Sequence, residues 1–215
     1  MKTLKELMDL RGRVAVITGG AGHLGTVMGE ALAELGARVA VVDLQAEACG
    51  AVVNRLSDRF GVDALSFAAD LSREEEVKAI PTAVLDHWSR LDILVHCAAL
   101  VGTSALKGWA TDFEAQSATA WRLALELNLT APFVLTQAAA PALRNSGHGS
   151  VVNVSSTYGI VGPDMGLYDG TAMGNPAAYA ASKGGLLQFT RWLATVLAPD
   201  VRVNAITPGG IERGQ

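Results

Sequence analysis

The stretch 13-RVAVITGGAGHLG-25 decides the fold. Residues 13–18 form an apolar run typical of a strand buried on both faces, and a glycine-rich turn follows over residues 19–25. A helix is predicted from Leu24 to Gly36, because glycine suits a helix end. Such a turn lets the backbone approach a phosphate group, since the helix N-terminus presents free N–H groups and a positive dipole end. Many strand–helix turns use glycine for geometry alone, so this reading needs support from elsewhere in the chain.

An acid at the expected distance supplies that support. Asp43 ends a second apolar strand, residues 38–43, and lies 18 positions after Gly25. This is near the spacing of the acid that binds the adenosine ribose hydroxyls in dinucleotide-binding folds. The alternative is a residue that caps the strand end. A carboxylate repels a 2′-phosphate and Leu44 offers no positive charge to hold one, so the pattern predicts NAD as the cofactor, with NADP less favoured.

Apolar strands alternate with helices along the rest of the chain. Further strands are predicted over 62–68, 92–96, 150–155 and 201–206. Helices are predicted over 45–60, over 72–90 with Ser72 as the cap, and over 119–143 with a bend near Pro132, while residues 100–117 read as a long loop. Strands of this kind separated by helices indicate a parallel sheet covered on both faces. We therefore predict an α/β fold, a Rossmann-type doubly wound parallel sheet with helices on both faces, in a single domain over residues 1–215.

Composition argues against several functional classes. The net charge is −4 and no basic run is present, which argues against nucleic-acid binding. No apolar run approaches the roughly 20 residues of a membrane span, and the first residues do not resemble a signal peptide, so no membrane partner is predicted. Cys49 and Cys97 are isolated, which favours a reducing, cytoplasmic setting. No histidine has a His or Cys at ligand spacing, so no metal site is predicted.

A tyrosine–lysine pair gives the chain a candidate acid/base. Tyr179 and Lys183 are four residues apart in a predicted helix, which Asn175 can cap and in which Pro176 suits the first position. This spacing places both side chains on one face. An ammonium beside a phenol favours the phenolate, and together with a second positive charge it lowers a tyrosine pKa from about 10 to about 7. The alternative is a pair without function, since this spacing is common on helices.

Taken together, the chain resembles a short-chain dehydrogenase/reductase of the classical type. The resemblance covers nearly the whole chain, in the family's order, and rests on Thr18-Gly19 to Gly25, Asp43, Asp70-Leu71, His96-Cys97-Ala98-Ala99, Asn128, Ser155-Ser156, Tyr179 with Lys183, and Pro208-Gly209. The specific part is the Tyr-x-x-x-Lys motif with the upstream Ser and Asn, and the glycine turn is the generic part.

The resemblance implies four catalytic residues. Tyr179 is then the general acid/base for the carbonyl or alcohol, and Lys183 favours its phenolate and holds the nicotinamide ribose. Ser156 binds the substrate oxygen, although Ser155 competes for that role. Asn128 holds a water that links Lys183 to solvent, or alternatively it only satisfies the helix bend near Pro132.

The resemblance also implies a cofactor site along the glycine turn and the strand ends. Asp70 contacts the adenine amine in this interpretation, or alternatively caps the next turn, and Cys97 lines the site or is simply a small buried hydrophobe. The predicted cofactor-binding residues are Gly19, Gly22, His23, Leu24, Gly25, Asp43, Leu44, Asp70, Leu71, Cys97, Ala98, Ala99, Tyr179, Lys183, Pro208, Gly209 and Ile211.

The chain departs from the family pattern in four places. His23 replaces a glycine, so the turn cannot require a glycine-only conformation there, and its ring either contacts the pyrophosphate or faces solvent. His-Cys-Ala-Ala at 96–99 replaces Asn-Asn-Ala-Gly and removes a bracing amide. Residues 157–178 form a longer segment than is usual before the tyrosine, rich in Gly with Tyr158 and Tyr168. The sequence also ends at Gln215, before the C-terminal part of the usual fold. Either the remainder lies outside this sequence or the form is truncated, and if that part is truly missing, one sheet edge is expected to be bare.

The predicted function is that of an NAD(H)-dependent oxidoreductase that interconverts a secondary alcohol and a ketone. The polar and aromatic long segment favours a sugar or polyol-like substrate. The alternatives are a non-catalytic NAD-binding protein and an epimerase or dehydratase of nucleotide sugars, although the latter usually needs a larger substrate domain. Small-residue faces at 138–140 and 184–185 would permit close packing between subunits, or alternatively they pack within one subunit. The resemblance implies a homotetramer or homodimer, because members of the family commonly form them.

Overall fold

The computed structural model describes residues 3–101, 105–171 and 174–212. The strands are β1 (Val14–Thr18), β2 (Arg38–Asp43), β3 (Ala64–Ala68), β4 (Ile93–His96), β5 (Gly149–Val154) and β6 (Val201–Ile206). The α-helices are α1 (Leu4–Met8), α2 (His23–Glu34), α3 (Ala46–Phe60), α4 (Glu74–Trp88), α5 (Ala118–Leu125), α6 (Ala131–Asn145) and α7 (Ala177–Val196). A π-helical segment, Glu126–Thr130, joins α5 to α6, and short 3₁₀ turns span Phe113–Ala115, Thr157–Gly159 and Met165–Tyr168.

The described strands form a parallel six-stranded sheet in the order β3-β2-β1-β4-β5-β6. The chain leaves the sheet centre in one direction over β1 to β3 and in the other over β4 to β6. The strand order therefore reverses between β1 and β4, and a ligand crevice is expected at the carboxyl ends of these strands. This sheet confirms the predicted fold class.

Two apolar clusters cover the two faces of the sheet. Val14 and Val16 pack into one cluster with residues of α4, α6 and α7, whereas Ala15 and Ile17 pack into the other with α2 and α3. Successive residues of β1 thus point to opposite faces, and both faces are buried. This explains why the strand reads as an unbroken apolar run rather than an alternating one.

The edges of the sheet are less buried than its centre. β3 starts at Ala64 rather than at residue 62, and its side chains are half-buried or exposed. β6 alternates between buried and exposed residues, with Arg202 and Asn204 exposed. Among the described strands β6 lies at one edge of the sheet and β3 at the other.

The helix caps differ from the prediction at two places. Pro176 is the cap residue of α7 instead of its first residue, and the Asn175 amide donates to the Tyr168 hydroxyl, so the Asn175 cap prediction is wrong. The Ala177 N–H donates instead to Gln116 Oε1 at 2.9 Å. Ser72 likewise does not cap α4, because its hydroxyl donates to Asp70.

The predicted bend near Pro132 takes the form of the π-helical segment, which ends just before Ala131. The small residues of the two helices pack within the chain: Ala139 is fully buried, and a Cβ on Gly185 would lie 2.9 Å from Leu129 Cδ2. These faces therefore serve intrachain packing, as the alternative reading proposed. None of the helices in the described ranges is both long and apolar enough to cross a membrane.

Candidate active site

A cleft of about 760 Å³ opens at the carboxyl ends of the strands. It is lined by the glycine turn, by the residues that follow β2, β3, β4 and β5, and by the first turn of α7. All the predicted cofactor-binding residues line it, namely Gly19, Gly22, His23, Leu24, Gly25, Asp43, Leu44, Asp70, Leu71, Cys97, Ala98, Ala99, Tyr179, Lys183, Pro208, Gly209 and Ile211. Ser156 also lines it, whereas Asn128 does not.

The glycine turn is folded too tightly for side chains at two positions. Gly19 has φ +65°, and a Cβ there would lie 2.7 Å from the Ala98 backbone. A Cβ on Gly25 would collide with the Gly19 carbonyl. Gly22 precedes α2 without a side-chain cap, so no cap side chain occupies the N-terminal N–H groups. The turn therefore suits a pyrophosphate, which makes this cleft compatible with a dinucleotide.

His23 is the first residue of α2 and needs no positive φ. Its side chain is exposed to solvent and also lines the cleft at the N-terminus of α2. The helix begins one residue earlier than predicted, because Gly22 rather than His23 takes the extended cap conformation.

Asp43 joins the end of β2 to the glycine turn. One carboxylate oxygen accepts from the Ala21 N–H at 3.1 Å and the other from the Leu44 N–H at 2.8 Å. Each oxygen keeps a lone pair for a hydroxyl donor. Among the described residues that line the cleft, Lys183 is the only lysine or arginine. The cleft near Asp43 is therefore electrostatically unfavourable for a 2′-phosphate.

Asp70 caps the turn after β3. Its Oδ1 accepts from the Ser72 N–H at 2.9 Å and from the Ser72 hydroxyl at 2.7 Å, and these bonds lower the pKa of the Asp70 carboxyl. Asp70 therefore caps the turn that follows β3, as the alternative interpretation of this residue predicted. The side chain still lines the cleft beside Leu71, so a contact with a ligand remains compatible with it.

Lys183 is a charged residue that is almost completely buried from solvent. The residue is 2% exposed, and its Nζ donates to the Val154 carbonyl at 2.7 Å. Nζ lies 5.8 Å from the centroid of the Tyr179 ring. Burial lowers the pKa of Lys183 to about 8, so the ammonium is still the main form at neutral pH. A buried cation beside a phenol in an open cleft suits proton transfer.

The two candidate serines have different partners. The Ser155 hydroxyl donates to the Lys183 carbonyl at 2.8 Å, which ties β5 to α7. Ser156 Oγ accepts from the Tyr158 N–H at 3.2 Å, a bond that leaves its hydroxyl proton available. The geometry therefore favours Ser156 over Ser155 as the serine that meets a substrate oxygen.

Asn128 sits behind the cleft in the π-helical segment and is 1% exposed. Its Oδ1 accepts from the Leu100 N–H at 2.7 Å, while Nδ2 donates to the Leu100 carbonyl at 3.3 Å and to Ser182 Oγ at 3.0 Å. Ser182 Oγ donates in turn to the Tyr179 carbonyl at 2.9 Å. Asn128 thus connects the chain after β4 to the helix of Tyr179. π-Helical insertions are frequent at functional sites.

His96 stands where the family pattern has an asparagine whose amide would link neighbouring elements, so an imidazole ring takes that position. His96 Nε2 lies 2.8 Å from Thr136 Oγ1 of α6, and burial, followed by the charge of Lys183, lowers the pKa of His96 to about 3. The ring is therefore neutral and links β4 to α6. Burial also raises the pKa of Cys97 to about 11, so its thiol stays protonated, as expected for a small buried hydrophobe. Within the described ranges no group of three or more His, Cys, Asp or Glu side chains is placed to hold a metal ion.

Two residues that the sequence analysis missed contact the start of α7, next to the cleft. Trp109 is 2% exposed, packs with Ala120, Ala124 and Ala178, and donates from Nε1 to the Val101 carbonyl at 2.6 Å. The Gln116 side chain donates to the Thr111 and Asn175 carbonyls and accepts from Ala177 N–H. Both lie in the region predicted as a loop. A tryptophan in such a loop was the available signal, because a large aromatic side chain favours burial.

The chain is similar in sequence to a described family and to several of its members. Residues 13–214 match the family described as short chain dehydrogenase. The chain is 36% identical over 207 residues to a rhamnolipid-biosynthesis 3-oxoacyl-[acyl-carrier-protein] reductase of Pseudomonas aeruginosa, across 94% of this chain and 73% of that protein. It is 35% identical over 207 residues to a probable galactose dehydrogenase of Rhizobium meliloti, across 96% and 74% of the two chains.

Solved structures agree. An NAD⁺-bound xylitol dehydrogenase superposes with a TM-score of 0.83 at 29% identity, over 95% of this chain and 73% of the other. A Pseudomonas aeruginosa RhlG/NADP active-site complex gives a TM-score of 0.83 at 32% identity, over 95% and 75%. Because residues 13–214, nearly the whole of this chain, match the family, the chain belongs to the short-chain dehydrogenases/reductases. The members of this family are oxidoreductases that use NAD(P).

Proposed function

We propose that this protein is an NAD-dependent oxidoreductase that interconverts a secondary alcohol and a ketone on a sugar or polyol-like small molecule. One observation carries the proposal: the buried Lys183 ammonium lies beside Tyr179 in a cleft that also contains the glycine turn. A non-catalytic NAD-binding protein would need the cleft but has no need of a dehydrated cation next to a phenol.

The catalytic residues divide the proton chemistry among them. A nicotinamide cofactor held in the cleft would supply the hydride chemistry at the substrate carbon. During oxidation the Tyr179 oxygen takes the hydroxyl proton, and during reduction it returns a proton to the carbonyl oxygen. The Lys183 ammonium stabilises negative charge on that phenol oxygen, and the Ser156 hydroxyl holds the substrate oxygen. Asn128 acts behind them by fixing the backbone of Tyr179 through Ser182.

The preference for NAD rests on charge. Asp43 stands where an adenosine ribose is expected, and no lysine or arginine among the described lining residues lies there to hold a 2′-phosphate. The relatives include an NAD⁺ complex and an NADP complex, so the family alone does not choose between the cofactors. The local carboxylate favours NAD.

The test is turnover with NAD and a panel of secondary alcohols, sugars and polyols, followed by NADH absorbance. We expect Tyr179→Phe to lower kcat/KM by about 10²- to 10⁴-fold, because the ring remains while the acid/base is lost. The control is Phe113→Ala, an exposed residue that does not line the cleft. NAD binding without turnover across the panel, in the wild type and Tyr179→Phe alike, would instead support the non-catalytic protein.

We also expect a homotetramer or homodimer, since the family is typically oligomeric. The small-residue faces are used within the chain, so an interface would have to lie elsewhere. Light scattering after size exclusion measures the mass of the assembly directly, and a mass of one chain would contradict this expectation.

A further inference from the structure

All three tyrosines of the chain line the same cleft. Tyr179 belongs to the proposed acid/base, but Tyr158 and Tyr168 have no role in it. Their hydroxyl oxygens lie 3.5 Å apart, and the Asn175 amide donates to the Tyr168 hydroxyl at 2.9 Å. We call these three side chains, Tyr158, Tyr168 and Asn175, the hydroxyl cluster.

The hydroxyl cluster lies next to the proposed catalytic centre. The Tyr158 N–H donates to Ser156 Oγ, so the same turn carries both residues. The pKa of Tyr158 is raised by its hydrogen bond with Tyr168 and, to a smaller extent, by burial and by the nearby Tyr168, Asp164 and Tyr179. The cluster therefore lies in the same cleft as Tyr179, where the part of a small substrate that does not react can reach it.

The backbone that carries the hydroxyl cluster is held by hydrogen bonds and directs Tyr168 inward. Between residues 160 and 171 only Pro163 and Tyr168 are not exposed, so Tyr168 is a side chain that this segment turns inward. Asp164 caps the 3₁₀ turn of Tyr168 by accepting from the Gly166 N–H at 3.0 Å. At the other end, Gln116 holds the Asn175 carbonyl. The cluster thus stands on anchored backbone.

We propose that Tyr158, Tyr168 and Asn175 form a specificity subsite that binds the distal hydroxyl groups of a polyol or sugar. Phenol and amide groups both donate and accept hydrogen bonds, as hydroxyl groups require, and they carry no charge at neutral pH. An aliphatic 3-oxoacyl chain at this place would cover these polar groups and offer them no hydrogen bond beyond those that they make with one another, which costs affinity. This inference rests on the proposed function, because it assigns the part of the substrate that does not react.

The kinetic test uses two four-carbon alcohols, threitol and 2-butanol, with NAD. Tyr168→Phe keeps the ring and removes one hydroxyl, so we expect KM for threitol to rise about tenfold with kcat nearly unchanged, as for a contact made equally in the ground and transition states. Turnover of 2-butanol should not change. Leu167→Ala, which alters the exposed neighbour of Tyr168, is the matched control and should behave as the wild type. An equal loss on both alcohols, or no loss on threitol, would overturn the subsite.

A binding measurement separates this inference from the proposed function. Xylitol is titrated by calorimetry into the NAD-saturated Tyr179→Phe protein, in which turnover is blocked, with and without Tyr168→Phe. We expect the additional substitution to weaken xylitol binding about tenfold. If no wild-type turnover is found but this difference appears, the proposed reaction fails and the subsite stands. If xylitol binds equally well to both proteins or to neither, the subsite is refuted whatever the reaction.

Discussion

The two sides of the cleft are built by different means. The side formed by residues 19–25, 43–44 and 97–99, here called the glycine wall, consists of closely packed backbone in which Gly19 and Gly25 leave no space for side chains. The side formed by residues 155–158, 168 and 174–176, called the tyrosine wall, is held by side-chain hydrogen bonds from Gln116 and Asn175. A backbone wall suits a cofactor common to many enzymes, whereas a side-chain wall can change with the substrate.

The largest effect is expected in the glycine wall. Gly25→Ala places a methyl group against the Gly19 carbonyl, so we expect a loss of more than about 3 kcal/mol in the free energy of unfolding, with NAD binding weakened at least 100-fold. Urea unfolding and calorimetry with NAD measure both. Gly50→Ala is the matched control, because nothing lies within 4 Å of its added Cβ in α3, and it should stabilise the protein by about 0.5–1 kcal/mol. Wild-type stability of Gly25→Ala would show that this wall tolerates side chains.

A smaller effect is expected behind the cleft. Asn128→Ala leaves the half-buried N–H and carbonyl of Leu100 without their side-chain partner, so we expect about 2 kcal/mol less stability. Because Asn128 acts on Tyr179 through Ser182, kcat should fall as well, while NAD affinity is retained. Gln137→Ala on the exposed face of α6 is the control. An unchanged kcat with the expected loss of stability would reduce Asn128 to a purely structural residue.

Acid should destabilise the centre of the sheet through His96. Its folded pKa of about 3 lies below the unfolded value of about 6.5, so the unfolded chain binds the proton more readily. The stability due to neutral His96 is complete above pH 6.5 and is lost as the pH falls towards 3. At pH 5 the loss is about 2 kcal/mol. Unfolding measured at pH 7.5 and pH 5 should show a shallower decline for His96→Asn than for the wild type or for His148→Asn on the surface. Parallel declines in all three proteins would contradict a buried neutral imidazole.

The smallest effect concerns the choice of cofactor. Asp43→Asn keeps an acceptor oxygen for the Ala21 N–H but removes the charge, so we expect the ratio of NADP to NAD affinity to rise about tenfold, or about 1.4 kcal/mol. Calorimetry with each cofactor measures the ratio, and Asp58→Asn controls for the change in net charge at an exposed site. A protein that already binds NADP as tightly as NAD would refute the assignment of Asp43.

Local patterns predicted much of the glycine wall. The apolar run of β1, the turn and Asp43 lie within 31 consecutive residues (13–43), so each could be recognised from its immediate neighbours in the sequence. The tyrosine wall was predicted less well. Asn175 reads as a helix cap from local sequence, but its amide binds Tyr168, and the first N–H of α7 is taken by Gln116, 61 positions away. A local signal cannot show that a distant side chain will occupy a cap.

The sequence by itself determined the doubly wound sheet, the family and the pairing of Tyr179 with Lys183, because strand burial, helical spacing and glycine geometry act over a few residues. Only the tertiary structure decided that Ser155 rather than Ser156 bonds the Lys183 carbonyl, that Asn128 braces the helix of Tyr179, and that His96 is paired with Thr136. Those contacts join residues 28 to 54 positions apart. They depend on how packed elements bring side chains together, which no short stretch of sequence encodes.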